Sequence, residues 1–248
     1  MSREKIYGLH AVTALLKSEP GQVHALWVLD SRNDERVNRI VSLAEQAGVA
    51  IRRLTRAELD ALAGGGRHQG VIAEAESRPA LDEHGLEAFL AGLREPAFLL
   101  VLDSVQDPHN LGACLRSANA AGVHAVIVPR DRASGLTPVA RKAASGAAEV
   151  TPLFQVTNLA RTLRMLKEQN IWLVALAGEA DQSLYELDLK GPLALVLGAE
   201  GGGLRRLTKE HCDFLARIPM AGGVASLNVS VAAGVALFEA VRQRRIAQ

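Results

Sequence analysis

Apolar positions along this chain recur with two alternating periods. Within residues 10–18, Val12, Leu15 and Leu16 fall at helical spacing, and HALWVLD (24–30) follows as a strand-like run. NDERVNRIVSLAEQAG turns Val37, Ile40, Val41, Leu43 and Ala44 to one side and stops at Gly48. VAIRRL (49–54) reads as a strand, Thr55 with Glu58 as the capping box of another helix, and VIAEA (71–75) as a second short strand. The first third of the chain therefore reads as a small α/β unit.

Beyond residue 98 the rhythm is slower. Near-continuous apolar runs at 98–103, 124–129, 171–177 and 193–198 alternate with helical stretches at 111–122, 139–148, 158–170 and about 227–244. Uninterrupted apolar strands separated by helices imply a mostly parallel sheet covered on both faces. In the last helix Leu227, Val231, Val235 and Phe238 are the expected core face. Such sheets bind ligands at the carboxyl ends of their strands, so the loops after Asp103, Gly198 and Ile218 are the ones to examine. Because true knots are nearly absent from proteins, periodicity alone predicts an unknotted doubly wound sheet.

Charge refines the division. Residues 79–97 hold four acidic side chains (Asp82, Glu83, Glu87, Glu95) against Arg94, whereas the segments on either side are slightly basic. With its Pro and Gly, this stretch reads as a linker with a short helix at 85–94. It separates a domain at 1–78 from one at 98–248. Over the 248 residues the net charge is only +1, so any nucleic-acid binding must come from local patches. Two cysteines, Cys114 and Cys212, are too few for a disulfide framework and fit a reducing cytosol. The opening MSREKIYGLH lacks the apolar core of a secretory leader, and no apolar run has the length of a membrane span. Seven histidines without paired spacing leave no expectation of a metal site.

Three loops carry candidate chemistry, and each alone has an ordinary structural explanation. In LDSVQDPHNLGACLRSANAAG (102–122), Asn110 is a good N-cap for a helix from Leu111, and Arg116 is a long guanidinium on a helix built of Ala, Gly and Ser. LALVLGAEGGGL (193–204) runs a strand straight into glycines, which let backbone amides approach a ligand, yet it is neither a dinucleotide fingerprint nor a Walker loop. In IPMAGGVASLNVSVAAG (218–234), Ser226 could simply cap the final helix. A fourth loop, GGGRHQG (64–70), is expected to expose His68 and Gln69. With Arg52, Arg53, Arg56 and Arg67 nearby, it is either a plain surface loop or an RNA contact.

Taken together and in this order, the motifs resemble the SpoU family of RNA ribose 2′-O-methyltransferases within the knotted SPOUT superfamily. Asn110 and Arg116 match its first motif, Gly198, Glu200 and Gly201 its second, and Ser226, Leu227 and Asn228 its third. IYGLHAV, the HQG tripeptide and the acidic stretch extend the likeness to the branch that methylates a peptidyl-transferase-loop guanosine of bacterial 23S rRNA. The resemblance implies a trefoil knot in the mostly parallel sheet, an N-terminal L30e-like RNA-binding domain, a cytoplasmic homodimer and S-adenosylmethionine (SAM) as methyl donor, without a metal. It assigns Asn110, Arg116, Glu200, Ser226 and Asn228 to catalysis. Gly198, Gly201, Ile218, Met220 and Leu227 would hold SAM, and His68, Gln69, Arg52, Arg53 and Arg67 would touch RNA. The alternatives are the same chemistry on a tRNA ribose, or a non-catalytic RNA-binding assembly factor that kept the fold.

Overall fold

The computed structural model describes residues 3–76, 81–199 and 201–246. The chain forms two compact units, residues 1–79 with 144–150, and residues 80–143 with 151–248.

In the first unit, strands β1 (Arg3–Tyr7), β2 (Val23–Leu29), β3 (Ala50–Leu54) and β4 (Val71–Glu76) form one sheet in the order β1-β4-β2-β3. Helices α1 (Leu9–Ser18), α2 (Glu35–Gln46) and α3 (Arg56–Ala63) accompany it. The helical stripes read from the sequence are the buried ones: Val12, Leu15 and Leu16 on α1, and Val37, Ile40 and Ala44 on α2. Asp34 starts α2 by accepting from the amides of Arg36 and Val37. Thr55 and Glu58 form the expected capping box, with Thr55 N donating to Glu58 Oε2 at 2.8 Å. The Thr55 hydroxyl and amide hold the Glu58 carboxyl below its ordinary range. Strand β1 has no sequence signal because it is a short edge strand in which Ile6 alone is buried.

The second unit is built on six parallel strands in the order β10-β8-β9-β5-β6-β7. They are β5 (Phe98–Asp103), β6 (Ala125–Pro129), β7 (Leu153–Val156), β8 (Trp172–Leu176), β9 (Leu193–Gly198) and β10 (Phe214–Ala216). Every residue of β5 and β6 is buried, which accounts for their unbroken apolar sequences. The helices are α4 (Glu83–Ala91), α5 (Pro108–Ala121), α6 (Pro138–Ala144), α7 (Leu159–Glu168), α8 (Arg206–His211) and α9 (Val229–Ile246). Among the described residues no helix is long and apolar enough to cross a membrane.

Three sequence expectations change. The acidic stretch is not a free linker from residue 81 on: Asp82 caps α4 through the amides of His84 and Gly85, and Leu86 and Leu90 enter the second unit's core. Phe89 packs on Phe154 with ring centroids 5.4 Å apart. Helix α5 begins at Pro108, not Leu111, because Asp107 caps it by accepting from His109 N at 2.9 Å, leaving Asn110 inside the first turn. On α9 the buried face is Ala233, Ala236, Leu237 and Ala240, while Val231 and Phe238 are each 50% exposed. The cause is close packing of α9 on α5, where Gly234 lies against Ser117; small residues permit that approach and large ones are turned outward. Glu239 is nevertheless buried, satisfied by Arg242 and Gln243. Gln243 in turn donates to Leu187 O and accepts from Leu189 N, tying α9 to the chain before β9.

Candidate active site

The carboxyl end of β5 delivers Asp103 into a fully buried position. A buried carboxylate is costly unless its oxygens are bonded, and here four donors converge on it. Arg205 donates through its backbone N (3.1 Å) and Nε (2.7 Å), Thr208 through Oγ1 (2.7 Å) and Ser104 through Oγ (3.0 Å). Asp103 therefore ties the start of α8 to the central strand, more than a hundred residues away in sequence.

Between β9 and that anchor the chain makes a tight glycine loop. Ala199 and Gly203 exchange backbone hydrogen bonds of 3.2 and 2.9 Å, closing the loop back on the strand end. A Cβ on Gly198 would lie 2.1 Å from the Gly203 carbonyl carbon, so no side chain fits there. Gly201 and Gly203 adopt positive φ of 72° and 59°, which L side chains rarely take. A second loop, from Arg217 to Met220, is held where Arg217 N donates to Gln182 O and Leu184 N to Arg217 O.

These loops enclose a cleft of about 650 Å³. Its apolar wall comes from Leu176, Leu197, Leu204, Ile218 and Leu227, and glycine backbone forms much of the rest. Of its charged groups, Glu179 and Lys209 form an ion pair that holds the Glu179 carboxyl below its ordinary value. The volume falls in the range of small-molecule sites. An apolar slot for a base, backbone groups at a glycine loop and a floor that excludes any Cβ suit a nucleoside-type cofactor. All five residues expected to hold SAM (Gly198, Gly201, Ile218, Met220 and Leu227) line this cleft, and so does Ser226.

The expected catalytic residues meet in part. Asn228 Nδ2 donates to Asn110 Oδ1 at 3.0 Å, joining the first and third motifs across 118 positions. Asn228 Oδ1 accepts from Ser230 N and Oγ at 2.9 and 2.6 Å, so Asn228, not Ser226, begins α9. Asn110 and Asn228 do not line the cleft themselves, but Asn228 follows Leu227 and precedes Val229, which both do. Arg116 is exposed on α5, six residues beyond Asn110. Glu200 lies outside the described residues.

Residues 97–238 match the SpoU rRNA Methylase family, and residues 5–80 match the RNA 2′-O ribose methyltransferase substrate-binding family. The chain belongs to the SpoU rRNA methylase family. As a SpoU member it is 57% identical over 97% of its length to the 23S rRNA (guanosine-2′-O-)-methyltransferase RlmB of Yersinia pestis, covering 98% of that protein. It is 56% identical to the Escherichia coli K12 protein of the same name over 97% of this chain and 99% of that one. The SpoU methyltransferase AviRb from Streptomyces viridochromogenes, solved in complex with the cofactor AdoMet, shares the fold. Its TM-score is 0.80 at 24% identity, over 99% of this chain and 92% of that one.

For this SpoU chain the loop at residues 64–70 requires a correction. His68 is buried, not exposed: its ring bonds Asp60 Oδ1 at 2.9 Å and accepts from Gly70 N at 3.0 Å. Burial and two partners make it the loop's internal brace. Gln69 is exposed, yet its Oε1 accepts from Leu9 N at 3.2 Å at the start of α1, and its carbonyl accepts from Arg32. Arg67, Arg52 and Arg53 are exposed. Arg52 and Arg53 are successive residues of β3 and so face opposite sides of the sheet. Two features had no place in the sequence reading. The wall from Leu176 to Glu179 was within reach, because the rule that ligands sit at strand carboxyl ends applies to β8 as well. The anchoring role of Asp103 was not, since its partners Arg205 and Thr208 carry no local spacing signal.

Proposed function

We propose that the chain methylates the ribose 2′-hydroxyl of a guanosine in 23S rRNA, with SAM as donor. The observation that carries this is the single cleft on which the glycine loop, the 217–220 loop and the start of α9 converge, lined by every residue the family pattern assigns to the cofactor. When bound there, SAM supplies a methyl group already activated by a sulfonium leaving group. Gly198 and Gly201 offer backbone, and Ile218, Met220 and Leu227 offer apolar contact, to hold it.

The remaining work belongs to the chain's polar residues. A ribose hydroxyl is a weak acid and a poor nucleophile, so it must be held in line and its developing negative charge stabilised. Arg116 suits both tasks: its planar fork clamps the adjacent phosphate, and its permanent charge favours the alkoxide. Asn110 and Asn228, already bonded to each other, orient the ribose, with Ser226 at the cleft contributing a further hydroxyl. Glu200 is assigned the orientation of Arg116 or of the glycine loop. In the first unit, Arg52, Arg53, Arg67 and Gln69 contact RNA, while His68 supports their loop from inside. The same proposal includes a trefoil knot in the second unit, a homodimer and a cytoplasmic location. The exposed Val231 and Phe238 of α9 favour the homodimer, because large apolar side chains facing outward beside a close-packed helix pair suit a subunit contact.

Mapping ribose methylation in rRNA from a strain lacking this gene tests the reading. One 23S guanosine should lose its 2′-O-methyl group and regain it on complementation. An unchanged 23S pattern, with a tRNA ribose losing its mark instead, would overturn it in favour of a tRNA substrate.

A further inference from the structure

The carboxyl edge of the six-stranded sheet bears a second crevice, of about 470 Å³, that no role assigned so far uses. Its walls include Arg132 after β6, Thr157 and Asn158 after β7, and Arg205, Arg206 and Thr208 at the start of α8. Arginines from two separate loops thus face one depression, whose lining contains, among the described residues, a single carboxylate, Asp131. Acids offset the group in part: Arg205 pairs with Asp103, Arg206 with Glu210, and Glu83 accepts from the Thr157 amide and hydroxyl. Asp103 is buried behind it, with its oxygens bonded to Arg205 and Thr208. The pair of Arg206 with Glu210, 3.0 Å apart, is exposed on both sides and therefore weak. Converging guanidinium groups repel one another, and an anion set among them relieves that cost. Guanidinium forks match phosphate oxygens in two-pronged geometry, and the side-chain amide of Asn158 suits a remaining oxygen.

The position of the crevice favours a nucleic-acid backbone over a small anion. The segment 204–209 divides it from the cofactor cleft: Leu204 and Lys209 line the cleft, and Arg205, Arg206 and Thr208 line the crevice. A strand presenting one ribose to the cleft must lay its flanking phosphates on adjacent surface of the same edge. We propose that this crevice is a phosphate subsite for the RNA strand flanking the methylated nucleotide. The proposal rests on the reading of the protein as an RNA methyltransferase and locates substrate contacts on the second unit as well as the first.

The test uses the full-length protein carrying Arg132→Ala, Arg206→Ala or both, with Arg205 left intact because it holds Asp103. Lys190→Ala, an exposed cation paired with Asp188, is the control. Binding of a 23S rRNA fragment is followed by fluorescence anisotropy across a salt series, SAM binding by calorimetry, and methyl transfer at varied RNA concentration. The double variant should bind RNA roughly tenfold more weakly, with a log–log salt slope shallower by about 1.4, that is, two phosphates at about 0.7 each. KM for RNA should rise while SAM affinity and kcat stay near wild type, and Lys190→Ala should change nothing. RNA affinity and salt slope matching the control would overturn the subsite. Failure of the parent reading looks different: if the wild-type protein methylates only tRNA, and the double variant shows the same shallower slope on that tRNA, the subsite stands and the 23S assignment falls.

Discussion

Arg116 is the residue on which the proposed chemistry turns. If it acts on the alkoxide and the neighbouring phosphate, its contribution appears mainly in the transition state. Arg116→Ala should lower single-turnover methyl transfer by about 10²–10³-fold, the usual cost of losing one preorganised electrostatic group, with SAM affinity and thermal midpoint little changed. Arg116→Lys should recover little, because a point-charge ammonium cannot replace a planar fork. Near-normal turnover in either variant would remove Arg116 from the mechanism. Asp103 predicts the opposite profile. Asp103→Asn removes the charge that faces half-exposed Arg205 and sets an amide NH2 against an Arg205 N–H, at a cost of about 1–3 kcal/mol. Denaturant unfolding should register that loss, and SAM affinity should fall with it as the glycine loop loses its anchor. The two cysteines answer to pH. Burial pushes both thiols up to about 12, with the Asp213 charge adding to the effect at Cys212. At pH 8 the thiolate fraction is then on the order of 10⁻⁴, so iodoacetamide should label the native protein slowly and the unfolded protein at once. Because folding raises these values, the associated stability is complete below the ordinary thiol value near 9 and declines as pH climbs beyond it.

At the scale of elements, the glycine loop is the least tolerant part of the molecule. Gly198→Ala places a methyl group against the backbone of Gly203, which cannot rotate away as a side chain would. Calorimetry should find SAM binding abolished, and wild-type affinity would mean that the loop is not part of the cofactor site. Elements also separate what the sequence made legible from what it did not. Strands β5, β6, β8 and β9 were legible because burial along most of their length writes itself as an unbroken apolar run. Strands β7 and β10 were not: each is short, and two of the three residues of β10 are exposed. The stripe on α9 misled because hydrophobicity ranks Val and Phe above Ala, whereas the packing of α9 on α5 selects for small size. The cleft's wall was legible through the family resemblance, since the five residues it assigns to the cofactor all line that cleft. The buried His68 was not, because a loop rich in glycine gives no sign of which side chain turns inward.

At the scale of the whole molecule, the outward Val231 and Phe238 predict a consequence of self-association. Phe238→Glu should convert a dimer into monomers in sedimentation equilibrium and reduce methyl transfer, while circular dichroism stays unchanged. A wild-type oligomer in that variant would exclude this face as the subunit contact. The long reach of Asp103 sets a timetable for synthesis. Its carboxylate emerges from the ribosome early, but Arg205 and Thr208 follow about a hundred residues later, and β9 must enter between β8 and β5 before the sheet closes. The wall contributed by Leu227, Val229 and Ala232 arrives later still. A nascent chain halted before α9 therefore lacks Val229 and Ala232 of the cleft's wall. The cleft is thus complete only after α9 has followed every other element that lines it.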